Sequence, residues 1–498
     1  VLPGYYGAVH SRGKVCCLRY DLYIYRRICT VDEYKTISMP LRNFSFRNIA
    51  VETFNQAAES IILTWKEIAV SLGLKQDIYK NPLHRPLEKP VTAILIGAGN
   101  RGNIYADYAL IHPNELKITG VADENAVRNG RFARKHHIAA GNRFYKWEDV
   151  FAREKFADAV IIATPDALHA APCLQALDAG YDVLLEKPIA LTEEECRLIH
   201  EKAKSTGRIV GVCHVLRYSP YFRQLKEIIT SGIIGDIVSV QHMEPIGFDH
   251  MAHSYVRGNW HNSTMSSPII LAKSCHDTDI LRWLINEPVE DVQCFGGLRL
   301  FTRENAPAGS TERCTDSCAV EGTCPFSALQ IYYRDRKRLY VFDLPEQRRN
   351  WDYIILKKLK TTDYGRCVYR MDNDQPDHLT VNMRFGKNIT AVFSMEGLTS
   401  YEGRCTRIMG TKGDIVGDME TYTITDFRTG QQTTWSLKTD FHGGGDHRLV
   451  QDWVQAVGHQ DARILSSTID VSVVSHLMAF AAERSRLNHT IEEVKLHK

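Results

Sequence analysis

The apolar positions of this chain follow two different rhythms. Between residues 91 and 185, short apolar runs at 91–96, 117–122, 159–163 and 182–185 alternate with stretches of helical spacing at 102–111, 126–137 and near 168–179. Such runs read as strands buried on both faces, and strands joined by helical crossovers build a doubly wound parallel sheet. After about residue 213 the rhythm changes. A helix near 219–231, a strand at 236–242 and a helix at 276–285 lead into strands at 289–296, 378–385, 388–396, 404–409, 414–417 and 421–427. This half predicts an open, mostly antiparallel sheet with helices on one face, an α+β domain following an α/β one. Helical patterns near 446–458 and 468–488 close the chain, so the expected domains span 1–90, 91–213 and 214–498.

The first ninety residues fit neither rhythm. Val51, Phe54, Ala58, Ile61, Ile62, Trp65, Ile68 and Leu72 recur at helical spacing and predict an amphipathic helix over 50–73. Residues 1–38 have little period and read as an extension upstream of Met39, and the proline-punctuated stretch 81–90 reads as a linker.

Composition narrows the class without naming a function. The 498 residues are 44% apolar and 24% charged with a net charge of +2, which gives no support to nucleic acid or an anionic membrane as partner. No apolar run approaches the roughly eighteen residues that cross a bilayer, and no signal-peptide core opens the chain, so a cytoplasmic location is expected. The thirteen cysteines, odd in number and spread over a long chain, argue against a secreted disulfide framework. Cys314, Cys318 and Cys324 stand apart in a polar loop. With a fourth ligand from elsewhere they could hold zinc, although their spacing matches no standard zinc ribbon or knuckle, and free or paired loop cysteines are the plainer reading.

The chemistry begins where the first strand ends, at Gly97-Ala-Gly-Asn-Arg-Gly102. The first glycine permits a tight turn, the second lets backbone approach a pyrophosphate, and the third lets the following helix pack closely. A second strand ends in Asp123, placed to hydrogen-bond an adenosine ribose and to repel a 2′-phosphate, which favours NAD over NADP. Lys187 leaves the strand at 182–185 at the same sheet edge, where partial desolvation would suit it to catalysis. His276 starts a helical pattern and can exchange a proton near neutral pH.

Four motifs in order, Gly97-Ala-Gly-Asn-Arg-Gly102, Ala163-Thr-Pro-Asp-Ala-Leu-His169, Glu186-Lys-Pro188 and Cys275-His-Asp-Thr-Asp-Ile-Leu-Arg-Trp283, resemble those of the glucose-fructose oxidoreductase / inositol dehydrogenase / rhizopine catabolism (Gfo/Idh/MocA) family over about residues 91–490. The resemblance implies a Rossmann domain binding NAD, or less readily NADP, through Gly97, Gly99, Asn100, Arg101, Gly102 and Asp123. Thr164, Pro165, His169, Glu186 and Lys187 would line the nicotinamide side. It also implies a sheet domain that carries the substrate and often the interface of a homo-oligomer. Lys187 and His276 are then the catalytic pair. The family's usual aspartate four positions before the histidine is Ala272 here, with Lys273 adjacent as a possible substitute.

Further substrate contacts are expected from His214, Arg217, Tyr218, Arg257, Trp260 and His261, since an aromatic plane with hydrogen-bonding neighbours suits a sugar ring. His442, Asp446 and His447 are a weaker metal-ligand set. The leading reading is an NAD-dependent dehydrogenase of a secondary hydroxyl in a sugar, glycoside or cyclitol. Two alternatives remain open: a glycoside hydrolase working by transient oxidation and elimination on bound NAD, and a non-catalytic NAD or sugar sensor.

Overall fold

In the computed structural model the described residues are 81–345, 347–436 and 444–495, so the expected helix at 50–73, the segment 1–38 and His442 lie outside them. Six parallel strands, β1 (Val91–Ile96), β2 (Leu116–Ala122), β3 (Arg143–Phe144), β4 (Ala159–Ile162), β5 (Asp182–Leu185) and β6 (Val210–Val212), form a sheet in the order β3-β2-β1-β4-β5-β6. That is the dinucleotide-binding order, with the strand sequence reversing between β1 and β4. Residues 193–206, between β5 and β6, form a helix with clear end signals. The Thr192 side chain caps Glu195 N–H, three glutamates fill the first turn, and Gly207 ends the helix at φ 65°.

The second sheet has nine strands: β7 (Ile237–Pro245), β8 (Val289–Gly297), β9 (His378–Phe385), β10 (Ile389–Glu396), β11 (Cys405–Gly410), β12 (Gly413–Gly417), β13 (Thr421–Asp426), β14 (Gln432–Ser436) and β15 (Glu492–Glu493). Their order is β14-β13-β12-β11-β7-β10-β9-β8-β15, antiparallel except where β7 pairs with β10. Alternation explains its one-sided core: Leu379, Val381, Met383 and Phe385 of β9 and Ile389, Ala391, Phe393 and Met395 of β10 all point inward. Residues 298–377, between β8 and β9, carry a separate small core that includes Tyr332, Phe342, Ile355 and Leu359. No helix among the described residues is long and apolar enough to cross a membrane.

The end of the chain departs from the expected division at 213/214. Helix Gly445–His459 packs on the first sheet, where buried Trp453 lies against Gly211 and its Nε1 donates to the Val183 carbonyl at 3.1 Å. Helix Ile469–Asn488 has apolar residues on opposite sides. Ile469, Val473 and Leu477 join the first sheet's core, and Met478, Ala479, Ala481 and Ala482 join the second's. A helix apolar all round is stable only when both sides are covered, which the sequence period alone did not reveal.

Beneath the helix Cys275–Ile285 lies a buried charge network. Arg404 donates to Asp277 at 2.8 Å and Glu244 at 2.6 Å, and the His242 ring bridges Asp277 at 2.9 Å and the Thr406 hydroxyl at 2.8 Å. Burial, helped by the neighbouring Asp277, raises the Glu244 carboxyl to about 7 against the pull of Arg404 and Lys273. Asp277 is equally buried, but Arg404 and His242 hold it well below the ordinary carboxylate range. One proton therefore stays on Glu244 near neutrality.

Two outcomes follow from this packing. Trp453→Ala should cost about 3–5 kcal/mol in urea unfolding, the typical range for emptying a large aromatic site, whereas a terminal helix merely laid on the surface would cost far less. Because the folded pKa of Glu244 is raised, its contribution to stability is fully present below about 4.5 and is lost as pH rises through about 7. Thermal unfolding between these limits should thus show a decline in the native protein that is flattened in Glu244→Gln; equal slopes would remove Glu244 as its source.

Candidate active site

Turns after β1, β4 and β5 meet at the carboxyl edge of the first sheet. Gly97 has φ +93° and donates its N–H to the Ala122 carbonyl at 2.8 Å; a Cβ there would lie 2.6 Å from the Ala163 oxygen. A Cβ at Gly102 would lie 2.1 Å from the Gly97 oxygen, whereas one at Gly99 would meet nothing within 4 Å. Gly97 and Gly102 therefore serve packing, and Gly99 leaves the backbone open for a phosphate to approach. Asp123 accepts the Ala98 N–H at 2.8 Å and lies 3.6 Å from Arg128, so the expected ribose ligand also braces the glycine turn. Asn100 begins the helix Asn100–Ala106.

Arg101 takes a different part from the one expected. Its guanidinium spans Glu186 at 2.8 Å, Asp446 at 2.6 Å and the Tyr105 hydroxyl, tying the glycine turn to the end of β5 and to the helix Gly445–His459. Burial alone would raise the Glu186 carboxyl, but Arg101 and Lys187 reverse this and hold it below its ordinary value. Asp446 is thereby engaged as an ion-pair partner, and the ring of His447 packs edge-on to Tyr108.

His169 sits between two carbonyls, Pro188 at 2.6 Å and Thr164 at 2.9 Å, and clamps the turn after β4 to the turn after β5. Thr164 closes its own turn onto Leu168, with Pro165 opening the short helix that follows. Lys187 reaches across to the second domain, where its Nζ donates to the Ala272 carbonyl at 2.7 Å. The position that lacks the expected aspartate thus still receives the lysine, through backbone. Lys273 turns the other way, 3.2 Å from Glu244.

His276 stands at the start of its helix, 7% exposed, its ring edge-on to His214 at 6.0 Å. His214 is fully buried, and its ring in turn meets His476 at 5.4 Å. Burial, then the charges of Arg217 and Lys187, hold His214 well below its ordinary value, and burial with His214 holds His476 at about 3. Both rings stay neutral. The Nε2 of His476 accepts the Ile189 N–H at 2.9 Å, which fixes the backbone just past Lys187.

Several expected substrate contacts turn inward instead. Arg217 spends its donors on a bidentate pair with Asp279, both bonds 2.6 Å, and on the Ser466 carbonyl. The Tyr218 hydroxyl bonds Ser467, and Arg257 reaches into the 298–377 insertion, bonded to the carbonyls of Arg366 and Phe326. Burial against these partners removes the three side chains from a substrate's reach. The His261 ring closes its own turn onto Gly258. Trp260 bridges the domains, its Nε1 2.9 Å from Asp166, which also takes the Ser267 hydroxyl at 3.0 Å. Asp166 was overlooked although it stands inside the motif 163–169, as Asp279 stands inside 275–283; His476 and Glu244 carried no local signal.

Comparison with known proteins agrees with this geometry. Residues 91–214 match the oxidoreductase family with an NAD-binding Rossmann fold, and residues 222–321 match the Gfo/Idh/MocA C-terminal domain. The chain is 27% identical over 364 residues to YteT of Bacillus subtilis, named as an oxidoreductase, covering 68% of this chain and 81% of that protein. It is 29% identical over 211 residues to inositol 2-dehydrogenase of Rubrobacter xylanophilus, covering 41% of this chain and 54% of that one. Levoglucosan dehydrogenase, solved with NADH and levoglucosan, shares the fold at a TM-score of 0.60 and 16% identity, over 82% of this chain and all of that one. With both domain matches in order, the glycine cradle at the sheet's switch point and Lys187 held at its carboxyl edge, the chain belongs to the Gfo/Idh/MocA oxidoreductase family and its first domain binds NAD.

Proposed function

We propose that the protein oxidises a secondary hydroxyl of a sugar, glycoside or cyclitol, with hydride passing to NAD. The observation that carries this reading is the Lys187–Ala272 hydrogen bond, which holds an ammonium against the backbone four residues before His276. Gly97, Gly99, Gly102 and Asp123 would hold the dinucleotide, whose nicotinamide supplies the hydride acceptor when bound. Lys187 has two N–H donors beyond the one given to Ala272, enough to hold a substrate hydroxyl and stabilise the alkoxide that develops. His276 takes the hydroxyl proton, since the buried His214 beside it and the His476 behind His214 are held neutral by their surroundings and a backbone carbonyl cannot relay a proton. Trp260 supplies an aromatic side to the substrate pocket.

The names of the relatives support the substrate class, being those of inositol and levoglucosan dehydrogenases. A homo-oligomer fits the outer face of the second sheet, where Val238, Phe295, Val392 and Val416 are exposed.

The test is NADH formation with a panel of cyclitols, free sugars and glycosides. One member should give net NADH, and absence of turnover with every secondary alcohol tried would defeat the proposal. Lys187→Ala should lower kcat by about 10²–10⁴-fold, the usual worth of a positioned proton or charge partner, with NAD affinity by calorimetry little changed. Asp123→Asn keeps an oxygen for the Ala98 N–H but removes the charge, leaving Arg128 free to meet a 2′-phosphate. It should shift the NAD/NADP affinity ratio towards NADP by roughly tenfold, about 1.4 kcal/mol; an unchanged ratio would show that Asp123 does not read the ribose.

A further inference from the structure

We propose that Cys314, Cys318, Cys324 and Cys367 are the four thiolate ligands of one zinc ion, buried in the 298–377 insertion beside Arg257. The sequence offers only the first three. The fold brings in the fourth through a short antiparallel pairing, in which Cys314 N–H donates to the Gly365 carbonyl at 3.0 Å and Cys367 N–H to the Glu312 carbonyl at 2.9 Å. All four cysteines line a single cavity of about 10 Å³, room for one small guest, together with Arg257, Tyr369 and Glu321, whose carboxylate is paired with Arg334. None of the four is in a disulfide.

Two further observations point to a bound anionic centre. Cys314 Sγ accepts the Ala328 N–H at 3.4 Å, and an amide-to-sulfur bond favours thiolate over thiol. Arg257 is 2% exposed, lines the same cavity and pairs with no carboxylate among the described residues. Its Nη2 lies 3.7 Å from Cys314 Sγ, and its buried Nη1 has no partner.

A buried guanidinium without a counter-ion is costly. Four thiolates around a divalent ion leave a net negative charge that answers it. As the sulfurs stand, no three His, Cys, Asp or Glu side chains among the described residues close on a single ion. Ligation therefore draws them inward and releases the four thiol protons. The centre would brace Arg257 and the segment running on to Trp260, the residue that meets Asp166 across the cleft.

The full chain, purified under argon and again in air, is assayed for zinc, iron and acid-labile sulfide. The expected result is one zinc per chain, without iron or sulfide. That metal should be lost in Cys318→Ser and Cys367→Ser and kept in Cys405→Ser, a cysteine on β11 outside the cavity. If the variants fail to fold, a mercurial titration of the unaltered chain should release the metal as four thiols react. Less than about a tenth of an equivalent of metal, metal surviving both substitutions, or a disulfide among the four cysteines would overturn the proposal.

Discussion

One hydrogen bond, from the Lys187 ammonium to the Ala272 carbonyl, joins the two halves of the site, and much of the surrounding structure serves to hold its ends. On one side, His169 clamps the turn after β5, His476 pins Ile189, and Glu186 binds Arg101 of the glycine turn. On the other, the Glu244–Arg404–Asp277 network seats the helix that begins just past Ala272. A carbonyl in place of a carboxylate changes the electrostatics. It orients the lysine without neutralising it, and the neighbouring Glu186 carboxylate is committed to Arg101. The ammonium is left with charge to spend on a developing alkoxide.

The first sheet was legible because its signals are local. Gly97, Gly99 and Gly102 each answer a backbone constraint, and the apolar runs of β1, β2, β4 and β5 match buried parallel strands. The short β3 and β6 and the strand Gln432–Ser436 escaped, being too brief or too polar for a period to show. Arg217, Tyr218 and Arg257 misled for one shared reason. A polar residue near a site motif looks available from sequence, yet each has its partner in a segment distant along the chain: Asp279 and Ser466, Ser467, or the insertion. Long-range partners leave no trace in spacing.

The insertion shows the same limit from the other side. Cys314, Cys318 and Cys324 stand out as a cluster, but Cys367 lies past the helix Trp351–Thr361, and only the pairing of 312–314 with 365–367 brings it close. Arg257 likewise reads as a substrate arginine until its burial among sulfurs is seen.

The two closing helices set the order in which the molecule can be built. The first sheet is complete in sequence at Val212, but Trp453 covers Gly211, Ser467 takes the Val212 amide, and Ile469, Val473 and Leu477 fill its core. On a ribosome, where chain emerges from the N-terminus, the nucleotide domain must wait bare-flanked while the whole second sheet is synthesised. The segment that closes the first domain is made after the second sheet, so the domain begun first is completed late.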